Sequence, residues 1–300
     1  MTTTAPPARP AEAPPARPLS AWLHRRSRTR LAALLALPMA WLVGLYIFSL
    51  ALLLVTAFWV TDPFTSLVRP GFTLENFALL FSNPAYLSTA LRTLGIALAV
   101  TALSAALAVP LGIFMAKIAS PWLRTLLAIA ITLPLWAGYL VKIVAMRITF
   151  TEEGFFNWVA GAVGGHGPGF GIPVVILTLT CLWFPYMALP VYTAIRQIPR
   201  NLFDASSDLG AQGWTTIRTV VLPLLTPALV AGSVFTFSLS LGDYLAARFV
   251  GGPNAQMIGS IIASNINLNP PVAAAFSTVP IAFVVIYLLV TRRTGALERM

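Results

Sequence analysis

The chain has 300 residues, of which 58% are hydrophobic and 9% charged, with mean hydropathy +0.83 and a formal net charge of +10. Soluble domains carry roughly a quarter charged residues, so this composition excludes an ordinary soluble protein and describes one whose surface is mostly meant for lipid. The basic excess does not indicate nucleic acid, because the charges sit at the edges of apolar runs.

Residues 1–20 are rich in Ala, Pro and Arg and are expected to be disordered, within a basic tail spanning 1–30. A membrane-spanning helix needs about 20 apolar residues. Six stretches qualify, at about Leu31–Val60, Thr89–Ala116, Thr125–Met146, Ile172–Ile195, Leu224–Leu245 and Val272–Thr291. The first is too long for a signal peptide and lacks a clear small-residue cleavage site. This predicts an all-α membrane protein of six spans, with a transmembrane domain over 31–293 and a short tail at 294–300.

Lys and Arg set the orientation. With the N-terminus inside, the inner segments hold 14 of the 19 Lys and Arg residues and the outer ones hold Arg69, Arg92, Lys142, Arg147 and Arg248. Both termini are therefore expected in the cytoplasm. The outer loops are 61–88, 147–171 and 246–271; the inner loops are 117–124 and 196–223. In the second outer loop, Phe155, Phe156, Trp158 and Val159 suit either one face of a short interfacial helix or an ordinary aromatic belt. The Gly/Pro run that follows breaks any helix before the fourth span, and His166 within it reads as solvated. Lys142 and Arg92 read as side chains that snorkel to the headgroups.

Cys181, the single cysteine, lies in an apolar run, so no internal disulfide or cysteine-based metal site is possible. His24 and His166 lack partner ligands, and no metal, nucleotide or nucleophile motif is present. No metal or cofactor is expected, and no enzymatic activity in this chain.

The inner loop 196–223 has a local shape of its own. Pro199 and Asn201 open it, and Asp204 is placed in the first helical turn, where a carboxylate suits the positive helix end. Gly210 follows Leu209 and ends the helix through a left-handed conformation. Ala211 to Trp214 turn the chain, and Thr215 to Leu222 form a second helix stopped at Pro223.

Asp204, Ala205, Ser206, Gly210, Ala211, Ile217, Val220, Leu222 and Pro223 resemble the EAA loop of binding-protein-dependent ABC-transporter permeases. Asp204 stands for the usual Glu and Ser206 for the usual Ala. The resemblance covers roughly residues 30–293. WFPYMALPVYTAIRQIPRNLFDASSDLGA and LGDYLAARFVGGPNAQMIGSII look like the spermidine/putrescine subfamily and its relatives for opines and aminophosphonates.

The resemblance implies a type I, MetI-like importer fold, with the loop docked into a groove of an ATP-binding subunit. It also implies several partners: two ATP-binding subunits, a second homologous permease, and an extracytoplasmic solute-binding protein. The expected location is the bacterial inner membrane. Other solutes, such as an opine, aminophosphonate, iron or an amino acid, remain open. A membrane enzyme would need convergent Asp, His/Glu or Ser/His groups within the spans, and none converge; a passive channel has no reason to carry such a loop.

Charges placed in a bilayer are expensive and mark functional candidates. Asp243 lies at the outer end of the fifth span beside Tyr244, an apt pair for a cationic solute. Capping, or pairing with Arg248, is the structural alternative. Trp183 and Tyr186 flank Pro185 in the fourth span, and Pro190 follows. Trp136 and Tyr139 follow Pro134 in the third. Prolines kink helices, and kinked segments either line cavities or simply pack. Pro110 and Gly112 mark a bend in the second span.

Overall fold

The computed structural model describes residues 27–62, 65, 67–162 and 164–293. Most of the two expected tails, 1–26 and 294–300, lies outside the described residues. The chain divides into two units, one ending at Leu53 and the other starting at Leu54. The first holds a helix, α1 (Ser27–Trp41), which passes through a π-helical stretch at Leu42–Ile47 into α2 (Phe48–Thr56), whose last three residues fall in the second unit.

After the end of α2 the second unit forms a small antiparallel hairpin, β1 (Val60–Thr61) and β2 (Val68–Arg69), closed by an Asp62–Arg69 ion pair at 3.1 Å. Helix α3 (Glu75–Ser82) leads into the long α4 (Pro84–Ile113), extended by π-helical Phe114–Ile118. The outer loop 61–88 is therefore largely structured, which its short, weakly periodic segments do not announce.

The third apolar stretch is not one continuous span. It forms α5 (Pro121–Trp136) and α6 (Tyr139–Thr149), bent by 108°. Ala137 and Gly138 between them are both extended, with ψ of 137° and 139°. Pro134 removes a helical N–H one turn earlier, and two extended residues in succession complete the corner. By contrast, the fourth span, α8 (Ile172–Gln197), runs unbroken through Pro185 and Pro190. A short helix, α7 (Phe155–Ala162), precedes it. Its Phe155, Trp158 and Val159 are exposed, while the Phe156 ring stacks on Phe150 at 4.5 Å.

The inner hairpin is α9 (Arg200–Asp208) and α10 (Gly213–Thr216). Pro223 does not stop the helix that follows. Helix continues from Gly213 to Leu241, through π-helical Ile217–Val221 into α11 (Leu222–Leu241). A wider π turn ahead of the proline accommodates a residue that has no N–H and whose ring would crowd the preceding turn. The fifth span ends at Leu241, not Leu245. Short helices α12 (Leu245–Val250) and α13 (Ile258–Asn265) fill the last outer loop before α14 (Pro270–Arg293).

Five helical stretches are long and apolar enough to cross a membrane: Leu34–Thr56, Pro84–Ile118, Ile172–Gln197, Gly213–Leu241 and Pro270–Arg292. The α5–α6 pair makes six if counted as one broken span. In the second unit α8 is central. Its outer half packs with Ile96, Val100, Ile143 and Met257, and its inner half with Ala108, Met115, Val221 and Leu225.

Lipid gives helices no hydrophobic reason to associate, so close packing by small residues takes over. A Cβ on Gly232 of α11 would lie 2.8 Å from Met187 Sδ and 3.0 Å from Met187 Cα on α8. Several hydroxyls in this core bond back to their own helices, as Thr101 does to Ala97 O and Ser240 to Thr236 O, both at 2.7 Å. Such bonds keep the polar groups satisfied away from water.

Candidate functional site

The candidate residues gather at two opposite ends of the spans. At the inner end, α9 starts at Arg200 with Pro199 as its cap residue. Asp204 is consequently in the second turn, not the first, and the expected carboxylate–dipole contact is not made. Asp204 is exposed and lines a groove of about 410 Å³ with Lys117, Arg200, Phe203, Ser207 and Thr216.

Gly210 has φ +76°. Its N–H donates to Ser207 O at 2.9 Å, and the Ala211 N–H donates to Ser206 O at 3.1 Å. These two bonds satisfy carbonyls that the helix end leaves open, and they require the left-handed residue that glycine supplies most cheaply. Ser206 is buried, and its hydroxyl pairs with Thr216 Oγ1 at 2.8 Å across the turn. The hydroxyl that distinguishes Ser206 from alanine thus ties α9 to α10.

Leu209 and Trp214 flank the turn with 89% and 72% of their surfaces exposed. Ala205, Leu222 and Pro223 are also exposed, and Ile217 is half-buried. Large apolar groups held outward beside a rigid turn present a surface that another protein can cover. Their exposure is not readable from residue spacing.

At the outer end, Asp243 lies in the turn after α11 and is only 4% exposed. The Tyr139 hydroxyl donates to its Oδ2, and the Ala246 N–H donates to Oδ1 at 2.8 Å. The carboxylate therefore caps α12 and fixes α6, the segment beyond the break in the third span. Among the described residues it has no ion-pair partner, so the pairing with Arg248 is not formed. The Tyr139 ring stacks on Trp183 at 5.8 Å, Trp183 lies 6.0 Å from Tyr186, and Tyr186 stacks on Phe235 at 6.2 Å. Four of the six outer candidates thus form one row headed by a buried carboxylate, and Phe235 joins it.

Tyr244 and Trp136 stand apart. Tyr244 lines a separate cavity of about 320 Å³ with Arg248, Gln256, Ser260 and Ser264. Trp136 is 88% exposed and borders a groove with Arg124, Tyr192 and Arg196. Arg92 does not simply reach for headgroups; it donates to Asn254 O in the last outer loop.

Comparison with known proteins places these two ends in context. Residues 108–299 match the family described as the binding-protein-dependent transport system inner membrane component. The inner membrane ABC transporter permease protein YdcU of Escherichia coli (strain K12) is 39% identical over 283 residues, covering 88% of this chain and 89% of that protein. The spermidine/putrescine transport system permease protein PotB of Salmonella typhimurium (strain LT2) is 29% identical, covering 74% of this chain and 78% of its own length.

Two solved structures share the fold. One is a bacterial alginate ABC transporter in complex with an alginate pentasaccharide-bound periplasmic protein, with TM-score 0.68 and 16% identity, covering 91% of this chain and 95% of that one. The other is the inward-facing MetNI methionine ABC transporter, with TM-score 0.53 and 22% identity, covering 69% and 93%. The chain belongs to the family of binding-protein-dependent transport system inner membrane components and is a multi-pass permease subunit of an ABC importer.

Proposed function

We propose that this permease passes small organic cations of the polyamine class, driven by ATP hydrolysed on separate subunits docked against α9 and its Gly210 turn. The observation that carries the solute class is Asp243, a buried carboxylate at the head of a row of aromatic rings. A carboxylate attracts ammonium groups by charge, and ring faces attract them by cation–π contact. The Tyr139 hydroxyl occupies one carboxylate oxygen, and an arriving ammonium can take its place. The likeness to PotB, a permease of a spermidine/putrescine transport system, supports the same class.

The complete transporter in this reading has two ATP-binding subunits, a second, homologous permease, and a solute-binding protein on the outer loops. Residues 31–293 form the permease domain, and 1–30 and 294–300 are cytoplasmic tails. ATP binding draws the two motor subunits together, the α9–α10 hairpins move with them, and the spans switch from inward-open to outward-open. The delivered solute enters, and hydrolysis resets the cycle. The exposed Leu209 and Trp214 beside Gly210 support the docking half of this reading.

A second solute reading has its own observation. Arg248 lines the cavity that Tyr244 borders, and the Trp183 Nε1–H in the aromatic row is buried without a hydrogen-bond partner. Both are donors, and they favour a solute that carries an acceptor as well as an amine, such as an amino acid or opine. Uptake of labelled putrescine and spermidine by cells with and without the complete system decides between them. Uptake that depends on the system supports the polyamine class. No difference for either solute refutes that class and leaves the family membership untouched.

A further inference from the structure

The basic residues of the inner side orient the chain, but Lys117 also makes directed contacts. It sits at the inner end of the α4 extension, and its Nζ donates to Ile198 O at 2.8 Å, the residue that ends α8. The same ammonium lies 4.8 Å from the centre of the Phe203 ring in α9. A cation is favourable against carbonyls at a helix C-terminus and against an aromatic face. One side chain thus fastens the second span to both the end of the fourth span and the docking hairpin.

The other end of the same helix is fastened to the outer side. Arg92 donates to Asn254 O, and buried Thr93 Oγ1 accepts from the Ile258 N–H at 2.9 Å while donating to Thr89 O at 2.8 Å. Asn254 and Ile258 belong to the loop between α12 and α14, the loop whose α12 is capped by Asp243. Arg92 and Lys117 are about 25 residues apart on one helix that runs unbroken through Pro110, or roughly 35–40 Å at the helical rise. Between them α4 is packed against α8 and α11 along a buried face that includes Ile96, Ala97, Val100, Ser104, Ala108 and Gly112. The π-helical stretch of this helix, Phe114–Ile118, lies at the inner end and contains Lys117.

We propose that α4 is a strut linking the cytoplasmic hairpin to the outer solute-facing loop, with Lys117 and the Arg92–Thr93 pair as positioning residues at its two ends. This rests on the reading of α9 as the docking element for ATP-binding subunits. Motion of α9 is carried through Phe203 and Lys117 into α4, and through Arg92 and Thr93 into the 251–258 segment. An element whose position both sites bias couples them.

The test uses the complete transporter in proteoliposomes. Three quantities are read: retention of the ATP-binding subunit on the tagged permease, stimulation of ATP hydrolysis by solute-loaded binding protein, and uptake. Lys117→Gln keeps a polar group but removes the charge. It is expected to retain the ATP-binding subunit and to lower the stimulation about tenfold. Lys117→Arg keeps both the charge and the ring contact and is expected to restore most of it.

Arg92→Gln, at the far end and out of contact with α9, is expected to produce the same loss. The double variant is expected to be no worse than either single change, because both break one strut. Unchanged stimulation in Lys117→Gln, or additive losses in the double variant, overturns the strut. Loss of the ATP-binding subunit from Lys117→Gln also overturns it, because Lys117 then belongs to the docking surface. A wild-type permease that retains no ATP-binding subunit overturns the docking reading itself and the strut with it.

Discussion

The inner and outer ends of this permease are built in opposite ways. The inner hairpin is contiguous, with every member within residues 200–223, and its working groups face outward: Leu209, Trp214 and Asp204 are all exposed. The outer row is assembled from α6, α8, α11 and the turn after it, and its key carboxylate is buried. A surface meant for a protein partner needs only a rigid local frame, which a glycine turn and two backbone bonds provide. A site meant for a small ion must be enclosed, and enclosure requires several distant segments to meet.

That contrast predicts that changes within the outer row alter what is carried, whereas changes within the inner hairpin alter how ATP is used regardless of solute. The largest effect is expected at Asp243. Asp243→Asn keeps an oxygen for the Ala246 N–H but removes the charge, and hydrogen bonds to charged groups are worth about 1.5–3 kcal/mol. Cation uptake in proteoliposomes should fall roughly tenfold to a hundredfold, with the ATP-binding subunit still retained. Loss of that subunit instead would break the separation of the two ends.

Next comes Gly210→Val. A Cβ there meets nothing within 4 Å in this chain, so the cost inside the permease comes from φ +76° alone, about 1–2 kcal/mol. Pull-down of ATP-binding subunits should fall roughly fivefold to thirtyfold, equally for every solute tested.

Tyr139→Phe sharpens the comparison with an effect of opposite sign. The hydroxyl competes with a solute ammonium for Asp243, and a hydrogen bond is worth about 1 kcal/mol net. Its removal should lower the solute concentration for half-maximal uptake about fivefold. A rise would make Tyr139 a solute ligand and not a competitor.

The smallest effect is expected at the Ser206–Thr216 pair. Thr216→Val leaves the buried Ser206 hydroxyl without its partner across the turn, whereas Ser206→Ala leaves Thr216 its contact to Gln212 O. Thermal unfolding of the purified complex should show Thr216→Val costing about 1 kcal/mol and Ser206→Ala less.

The same contrast explains what could be read in the sequence. The spans, the basic inner side and the hairpin are local or compositional, so hydropathy, charge counts and the Gly210 spacing reveal them. The α5–α6 corner escapes a hydropathy scan because both arms are apolar and only the backbone at Ala137 and Gly138 differs. Pro223 reads as a stop because proline usually is one, yet the π turn before it lets the helix continue. Asp243 is legible as a charge in an apolar setting, but its Tyr139 partner is 104 positions away. Lys117 is legible only as one of many orienting cations, since its grip on Ile198 and Phe203 exists only after folding.

The most direct test of a carrying end separate from a driving end is uptake of labelled putrescine into proteoliposomes that hold the complete transporter. ATP hydrolysis is followed at the same time, with Asp243→Asn and Gly210→Val beside wild type. The account predicts that Asp243→Asn loses cation uptake while keeping its ATP-binding subunits, and that Gly210→Val loses uptake because those subunits dissociate. Uptake in Asp243→Asn equal to wild type, or subunits retained with full uptake in Gly210→Val, would contradict it.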